Sequence, residues 1–353
     1  MPVRVLIVDD SIFIRRQITK ILTTQKDIEI IGEAVNGLEA IAKASELAPD
    51  VITMDIQMPE LDGISAVKQI MRDNPTPILM LSVATQSGAQ ATIDALEAGA
   101  VDFLPKQLNE LSSDRQEAKR LLRTRVRLLA QSKIKPTALE VKPPSVLSQN
   151  KLRQHPAKQI RHVAKNKFDL LLIAASTGGP VVIKNILEKI PSDFSMPVLL
   201  VQHMPASFTP SFAERLDRHS KIEVREARDG DILQTGVALL APGGLQMELK
   251  AKASRCEIIL RKGHSGEHYH PCVDTTFTSI AENFLGNILA IVLTGMGSDG
   301  KRGIEKLKQG NATVWAQNEE SCVVYGMPRA VIEARMADRI ASVDEIVATL
   351  GQI

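Results

Sequence analysis

Cysteine is scarce in this chain: three in 353 residues, Cys256, Cys272 and Cys322, all in the second half. An odd, sparse count excludes a disulfide framework and suits a reducing compartment. Long apolar runs are also missing. No stretch approaches the ~20 apolar residues that a membrane-spanning helix needs. The start, MPVRVLIVDDS, has no basic segment followed by a long apolar one, and Asp9 interrupts it, so no signal peptide is expected. These absences together predict a cytoplasmic protein with no membrane insertion. A large charge of one sign is absent too, the net being +2, which argues against a surface built to coat nucleic acid.

What is present is ordinary in bulk and specific in detail. Apolar residues make up 44% and charged residues 24%, as in soluble globular proteins. The length allows two domains, each with its own core. Over 1–106, short runs rich in Val, Ile and Leu at 3–8, 28–34, 50–55, 77–82 and 101–105 alternate with helical patterns such as 37–48 and 88–100. Nearly unbroken apolar runs are the mark of strands buried on both faces of a parallel sheet. Strand–helix alternation then implies a doubly wound α/β layer structure. Residues 109–131 read as a last amphipathic helix. The stretch 107–167 holds 15 Lys/Arg against 4 Asp/Glu, with Pro136, Pro143, Pro144 and Pro156 and no periodicity beyond that helix. Beyond that helix it reads as an extended, self-repelling linker. A basic linker can also touch an anionic surface. No aromatic residue is interleaved with the charges to stack on bases, so no nucleic-acid partner is expected. From 168 the alternation resumes, with strand candidates at 168–176, 196–203, 236–242, 287–295 and 312–317. The segment 243–262 is a candidate β-hairpin.

Chemistry-bearing residues collect at the ends of these strands. In open α/β sheets that is where ligands bind. In the first half, Asp9 and Asp10 follow the first strand and Asp55 ends the third. Three converging carboxylates repel one another unless a cation sits among them, and a hard Mg²⁺ fits an oxygen-only set best. One carboxylate can then attack phosphorus and become an aspartyl phosphate. Lys106, after the fifth strand, can counter the phosphoryl charge, and Ser82, after the fourth, can hydrogen-bond the product. Any one of these alone could be a solvated loop acid or hydroxyl, but five at strand ends form a site.

The segments VLIVDDS (5–11), DIQMPELDG (55–63), LSVAT (81–85) and VDFLPK (101–106) resemble the receiver domain of bacterial two-component response regulators over roughly 1–125. The resemblance implies that a sensor histidine kinase phosphorylates Asp55. It also implies that Asp9, Asp10, Asp55 and the backbone of Gln57 hold Mg²⁺, and that Phe103 stands at the aromatic switch position.

In the second half, Ser176 follows an apolar strand in LLLIAASTGGP, where two glycines allow a tight strand-to-helix turn. A helix N-terminus there favours negative charge. The surroundings match neither the G-x-S-x-G elbow nor G-x-G-x-x-G or a Walker A loop. His203 ends the next strand, in LLVQHMP, and Asp299 lies in the glycine-rich loop LTGMGSDG (293–300). Each has a plain alternative, Ser176 and Asp299 as helix N-caps and His203 as a packed or surface histidine. Asp229, Asp231 and Asp274 are rival acids in less suggestive loops. Together Ser176, His203 and Asp299 form a nucleophile–base–acid set, in a chain order distinct from the familiar serine hydrolases. The cluster His264, His268, His270 and Cys272 raises zinc ligation, but its spacing fits no standard site and a polar loop is expected.

The stretches ASTGGP (175–180), QHMP (202–205), LAPGG (240–244), PCVDTTF (271–277) and LTGMGSDG (293–300) resemble the catalytic domain of the chemotaxis protein-glutamate methylesterases. The resemblance implies that Ser176 attacks γ-methyl esters of chemoreceptor glutamates, that His203 takes its proton and that Asp299 orients His203. It places the oxyanion at the N–H of Met296 with groups near Thr177. It also implies that receptor glutamines are deamidated, that the kinase is of the CheA type and that the esterase domain needs no cofactor. Two departures are small: AAS stands for the common GAS, and Cys272 for a usual Ser. The expected architecture is thus two α/β domains, each a doubly wound parallel sheet. A flavodoxin-like receiver covers 1–125, a linker 126–167, and a Rossmann-like three-layer hydrolytic domain 168–353. A response regulator with a non-enzymatic output is the rival reading, but DNA-binding outputs are small and helical. A nucleotide-binding domain is another rival, and no phosphate-cradling loop supports it.

Overall fold

The computed structural model of the chain describes residues 1–353 apart from 25, 84, 107–113, 133–167, 253–254 and 265. The expected linker from 133 onward lies outside the described residues. The first half holds five strands, β1 (Val3–Val8), β2 (Ile28–Ala34), β3 (Val51–Asp55), β4 (Ile78–Ser82) and β5 (Asp102–Pro105). They pair in parallel in the order β2-β1-β3-β4-β5, the flavodoxin-like order. Strands β3 and β4 are buried at every position, which is why their sequences read as unbroken apolar runs. The helices are α1 (Ile12–Leu22), α2 (Gly37–Leu47), α3 (Gly63–Asp73), α4 (Gln86–Glu97) and α5 (Asp114–Ala130). Ser11, Asn36, Asp62 and Thr85 each accept a backbone N–H at the start of the first four, the ordinary capping solution. Helix α5 runs to Ala130, so 126–130 belong to it rather than to the linker.

The second half is built on seven parallel strands: β6 (Leu170–Ala175), β7 (Val198–Gln202), β8 (Glu223–Glu226), β9 (Val237–Leu240), β12 (Ile288–Val292), β13 (Ala312–Gln317) and β14 (Arg339–Ala341). Their order is β14-β13-β12-β6-β7-β9-β8. From β6 the chain builds outward on one side, then returns to β12 on the other. The crevice between β6 and β12 is therefore the switch point at which ligands bind in such sheets. The expected hairpin is present as β10 (Gln246–Lys252) and β11 (Arg255–Arg261), an antiparallel pair outside the main sheet. Helices α6 (Gly179–Leu187), α7 (Thr209–His219), α8 (Val273–Asn283), α9 (Lys301–Leu307), α10 (Met327–Glu333) and α11 (Val343–Leu350) cover the faces. Strands β8 and β14 were not expected from the sequence; both are short edge strands.

The halves touch through α4, β5 and α5 of the first and α6 and α7 of the second. Phe103 on β5 packs on Phe208 at the start of α7, ring centroids 4.6 Å apart. Arg215 on α7 pairs with Glu97, and with Asp94 at 3.1 Å, both on α4. Lys184 on α6 lies 3.7 Å from Glu97.

Candidate active and phosphoacceptor sites

At the carboxyl end of the first sheet, Lys106 Nζ lies 2.8 Å from Asp9 Oδ2 and 2.6 Å from Asp55 Oδ2. Oxygens of Asp9, Asp10 and Asp55 all fall within 4.8 Å of one another. Asp9 and Asp55 are buried while Asp10 is exposed, so the site opens on one side. Burial pushes the Asp55 carboxyl above the usual carboxylate range, against the pull of Lys106. Burial also works against the Lys106 charge, yet its bonds to Asp55 and Asp9 hold the ammonium above its ordinary value. An acid that burial makes reluctant to ionise, crowded by two more, is a site that gains from a divalent cation. The oxygen-only donors fit a hard ion such as Mg²⁺. Gln57 lies exposed just beyond β3. The Ser82 hydroxyl is buried and turned toward α4, bonding the Gly88 carbonyl at 3.2 Å and accepting from Thr92 Oγ1 at 2.7 Å.

In the second half Ser176 and His203 directly follow β6 and β7, and Asp299 lies in the loop between β12 and α9, at the switch-point crevice. The sharp exit from β6 puts Gly178 at φ 77°, open to glycine at no steric cost. At Gly295, a Cβ would sit 2.8 Å from Ser176 Cβ; only glycine lets the β12 loop approach Ser176 this closely. Gln202, buried, donates from Nε2 to the carbonyls of Ser176 (2.9 Å) and His203 (3.1 Å) and so clips the two loops together.

His203 Nε2 lies 2.7 Å from Asp299 Oδ2. Asp299 also accepts the N–H groups of Val273 (2.8 Å), Asp274 (2.9 Å) and Gly300 (2.9 Å) and the Cys272 thiol (3.3 Å). Burial works to raise its carboxyl, but the His203 bond and the N–H groups of Asp274 and Val273 outweigh it and hold it below the ordinary range. An ionised carboxylate only accepts, so Nε2 carries the hydrogen. Nδ1 is left as the basic nitrogen, buried and, among the described residues, without a hydrogen-bond partner. This is the reverse of the chymotrypsin arrangement, in which Nδ1 faces the acid. Burial pushes the Cys272 thiol up to about 11, so it stays protonated and donates.

Ser176, Thr177, His203 and Met296 line one cavity of about 210 Å³, walled on the receiver side by Leu121 and Arg125 of α5. Thr177 Oγ1 donates at 2.8 Å to Asp102 Oδ2 on β5. Asp102 is held in turn by Arg125 Nη1 at 2.8 Å. The rival acids are structural. Asp274 accepts from Gly303 N, Asp229 from Leu260 N, and Asp231 pairs with Arg225. Among the described residues the one cluster suited to a metal ion is Asp9, Asp10 and Asp55, so His264, His268, His270 and Cys272 do not converge. Sequence reasoning missed Asp102, Gln202, Gln246 and Tyr269. The signal for Gln202 was its place before His203 at a strand end; the others had none.

Fold and site define an α/β domain with a carboxylate–lysine cluster set against a second α/β domain that carries a Ser–His–Asp constellation. The comparisons sharpen this class. Residues 171–350 match the family model "CheB methylesterase" and 5–113 match "Response regulator receiver domain". The chain belongs to the CheB methylesterase family. It is 45% identical to the protein-glutamate methylesterase/protein-glutamine glutaminase of Pseudoalteromonas translucida, over 98% of this chain and 97% of that one. It is 48% identical to protein-glutamate methylesterase/protein-glutamine glutaminase 1 of Vibrio cholerae, over 95% and 94%. The Thermotoga maritima CheB methylesterase catalytic domain, a crystal structure, is 38% identical with a TM-score of 0.51, covering 52% of this chain and 98% of that one.

Proposed function

We propose that this chain is a phosphorylation-controlled protein-glutamate methylesterase that also deamidates glutamine, acting on methyl-accepting chemoreceptors through Ser176, His203 and Asp299. The observation that carries this reading is the His203 imidazole. It is bound through Nε2 to an ionised Asp299, its buried Nδ1 has no hydrogen-bond partner among the described residues, and His203 lines the same cavity as Ser176. Nδ1 takes the Ser176 proton as Oγ attacks the γ-carbonyl carbon. The tetrahedral oxyanion is met by the N–H of Met296 and groups at Thr177; one such donor contributes about 3 kcal/mol to the transition state. The proton on Nδ1 passes to the leaving oxygen or nitrogen, releasing methanol or ammonia. Water, deprotonated by the same nitrogen, then hydrolyses the acyl-serine to glutamate. Both substrates are acyl groups transferred to water, so one site serves both.

The receiver controls access. Asp55 accepts phosphoryl from the phosphohistidine of a CheA-type sensor kinase; Asp9, Asp10, Asp55 and the backbone of Gln57 would hold Mg²⁺. The bound ion supplies charge neutralisation among carboxylate and phosphoryl oxygens. Lys106 counters the remaining charge. Ser82 swings from α4 to the phosphoryl group, and Phe103 shifts with it. In the unphosphorylated chain the receiver covers the crevice; the Thr177–Asp102 bond and the α5 wall support this reading. The test is methanol release from a methylated receptor fragment, with and without acetyl phosphate. Ser176→Ala lowers the rate by at least about 10⁴-fold while Asp55 is still phosphorylated. Near-normal release by this variant would remove the triad assignment.

A further inference from the structure

The loop before α8 places one aromatic ring where the triad reading has no assigned role for it. Tyr269 lies flat on His203, ring centroids 4.3 Å apart and planes within 4°. Its ring lines the cavity together with Ser176 and Met296. Its hydroxyl lies beside the backbone turn after Met296, since a Cβ on Gly297 would sit 3.5 Å from it. The ring does not depend on its own packing alone. Gln246, fully buried at the start of β10, donates from Nε2 to the Tyr269 carbonyl at 2.8 Å and accepts the Cys272 N–H at 2.8 Å. One amide thus pins both ends of the segment 269–272. The first end carries the ring that lies on His203; the second leads into the N–H groups that hold Asp299.

We propose that Tyr269, held by Gln246, is a positioning residue for the hydrolytic step, stacking on His203 to hold the imidazole between Asp299 and Ser176. This inference rests on the triad reading above. Nε2 fixes the ring tip through Asp299, but a single hydrogen bond leaves the ring free to tilt about that contact. A flat aromatic partner on one face removes the tilt. It acts further in the transition state. Once Nδ1 has taken the serine proton the ring is an imidazolium, and a cation over an aromatic face is stabilised by the ring quadrupole. The effect belongs to the charged state, so it falls on kcat rather than on substrate binding.

The experiment uses the full-length chain with acetyl phosphate and the methylated receptor fragment as substrate. Tyr269→Leu lowers kcat by about tenfold or more and leaves KM within about twofold, with Asp55 phosphorylation and melting temperature as evidence of an intact fold. Tyr269→Phe restores kcat to within about threefold, because the ring and not the hydroxyl does the positioning. Tyr269→Asn is the second non-aromatic replacement if Leu impairs folding. The ring protons of His203 in the NMR spectrum lose the upfield displacement caused by the stacked phenol in Leu and keep it in Phe. Gln246→Leu lowers kcat in the same direction, and adding it to Tyr269→Leu costs little more. The proposal is overturned if non-aromatic variants keep kcat, if the loss appears in KM alone, if Phe is as poor as Leu, or if the Gln246 and Tyr269 effects simply multiply. Ser176→Ala runs beside them. Activity surviving in that variant removes the triad reading itself, whereas an inactive Ser176→Ala with an active Tyr269→Leu removes only the role of Tyr269.

Discussion

At the scale of single residues, the two sites show what strand ends reveal and what they hide. The placement of Asp9, Asp10, Asp55, Ser176, His203 and Asp299 was legible because each lies at or beyond the end of a strand whose apolar run is plain in the sequence. The residues that serve them were not. Asp102 meets Thr177 across a domain boundary, Gln246 reaches Tyr269 from 23 positions away, and no periodicity encodes such pairs. The direction of the His203 ring was equally hidden, since it depends on which nitrogen the α8 loop brings the acid to. The phosphoacceptor reading makes its own prediction. Asp55→Asn keeps the shape of the side chain and removes its charge. It abolishes stimulation of methanol release by acetyl phosphate and weakens Mg²⁺ binding measured by titration. Robust stimulation of this variant would take the acceptor role from Asp55.

At the scale of elements, the buried strands were readable, while the short outermost strands of the second sheet were not. Strand β8 reads Glu-Val-Arg-Glu and β14 spans three residues. A strand paired on one side and half exposed carries no long apolar run. The β10–β11 hairpin was expected at 243–262; it reaches the site through Gln246 on β10, and Arg261 on β11 ties it to the loop before α8. Arg261 on β11 lies 2.7 Å from both Glu248 on β10 and Glu267 in the following loop. The Arg261 bond above all, helped by the His264 N–H, holds the Glu267 carboxyl down at about 2 against the opposing effect of burial. A depressed acid stabilises the fold above its unfolded value, near 4.5, and the contribution disappears as pH falls through about 2. Glu267→Gln therefore melts at a lower temperature than the natural chain above pH ~5, and the two curves converge near pH 2. A gap in melting temperature unchanged at pH 2 would mean that the pair acts by shape and not by charge.

At the scale of the molecule, the contacts between the halves are individually modest. An aromatic pair such as Phe103–Phe208 contributes about 1 kcal/mol beyond its buried area, and partly exposed ion pairs such as Arg215 with Asp94 contribute about 0–1 kcal/mol each. Interfaces of this kind rearrange readily, and a phosphoryl group shifts the balance by its different free energy in the two arrangements. A fragment beginning near Lys167 is accordingly more active than the unphosphorylated full-length chain at equal concentration, and acetyl phosphate leaves its rate unchanged. A folded fragment less active than the full chain would mean that the receiver assists the reaction. The docking face also limits how the halves are shared among proteins. Thr177 meets a carboxylate, Phe208 a ring and the cavity wall an arginine, all three supplied by a few positions at β5 and α5. A catalytic half grafted onto a foreign receiver would carry its chemistry with it. It would come under that receiver's command only where the new partner offers an acid, an aromatic and an arginine at the places of Asp102, Phe103 and Arg125.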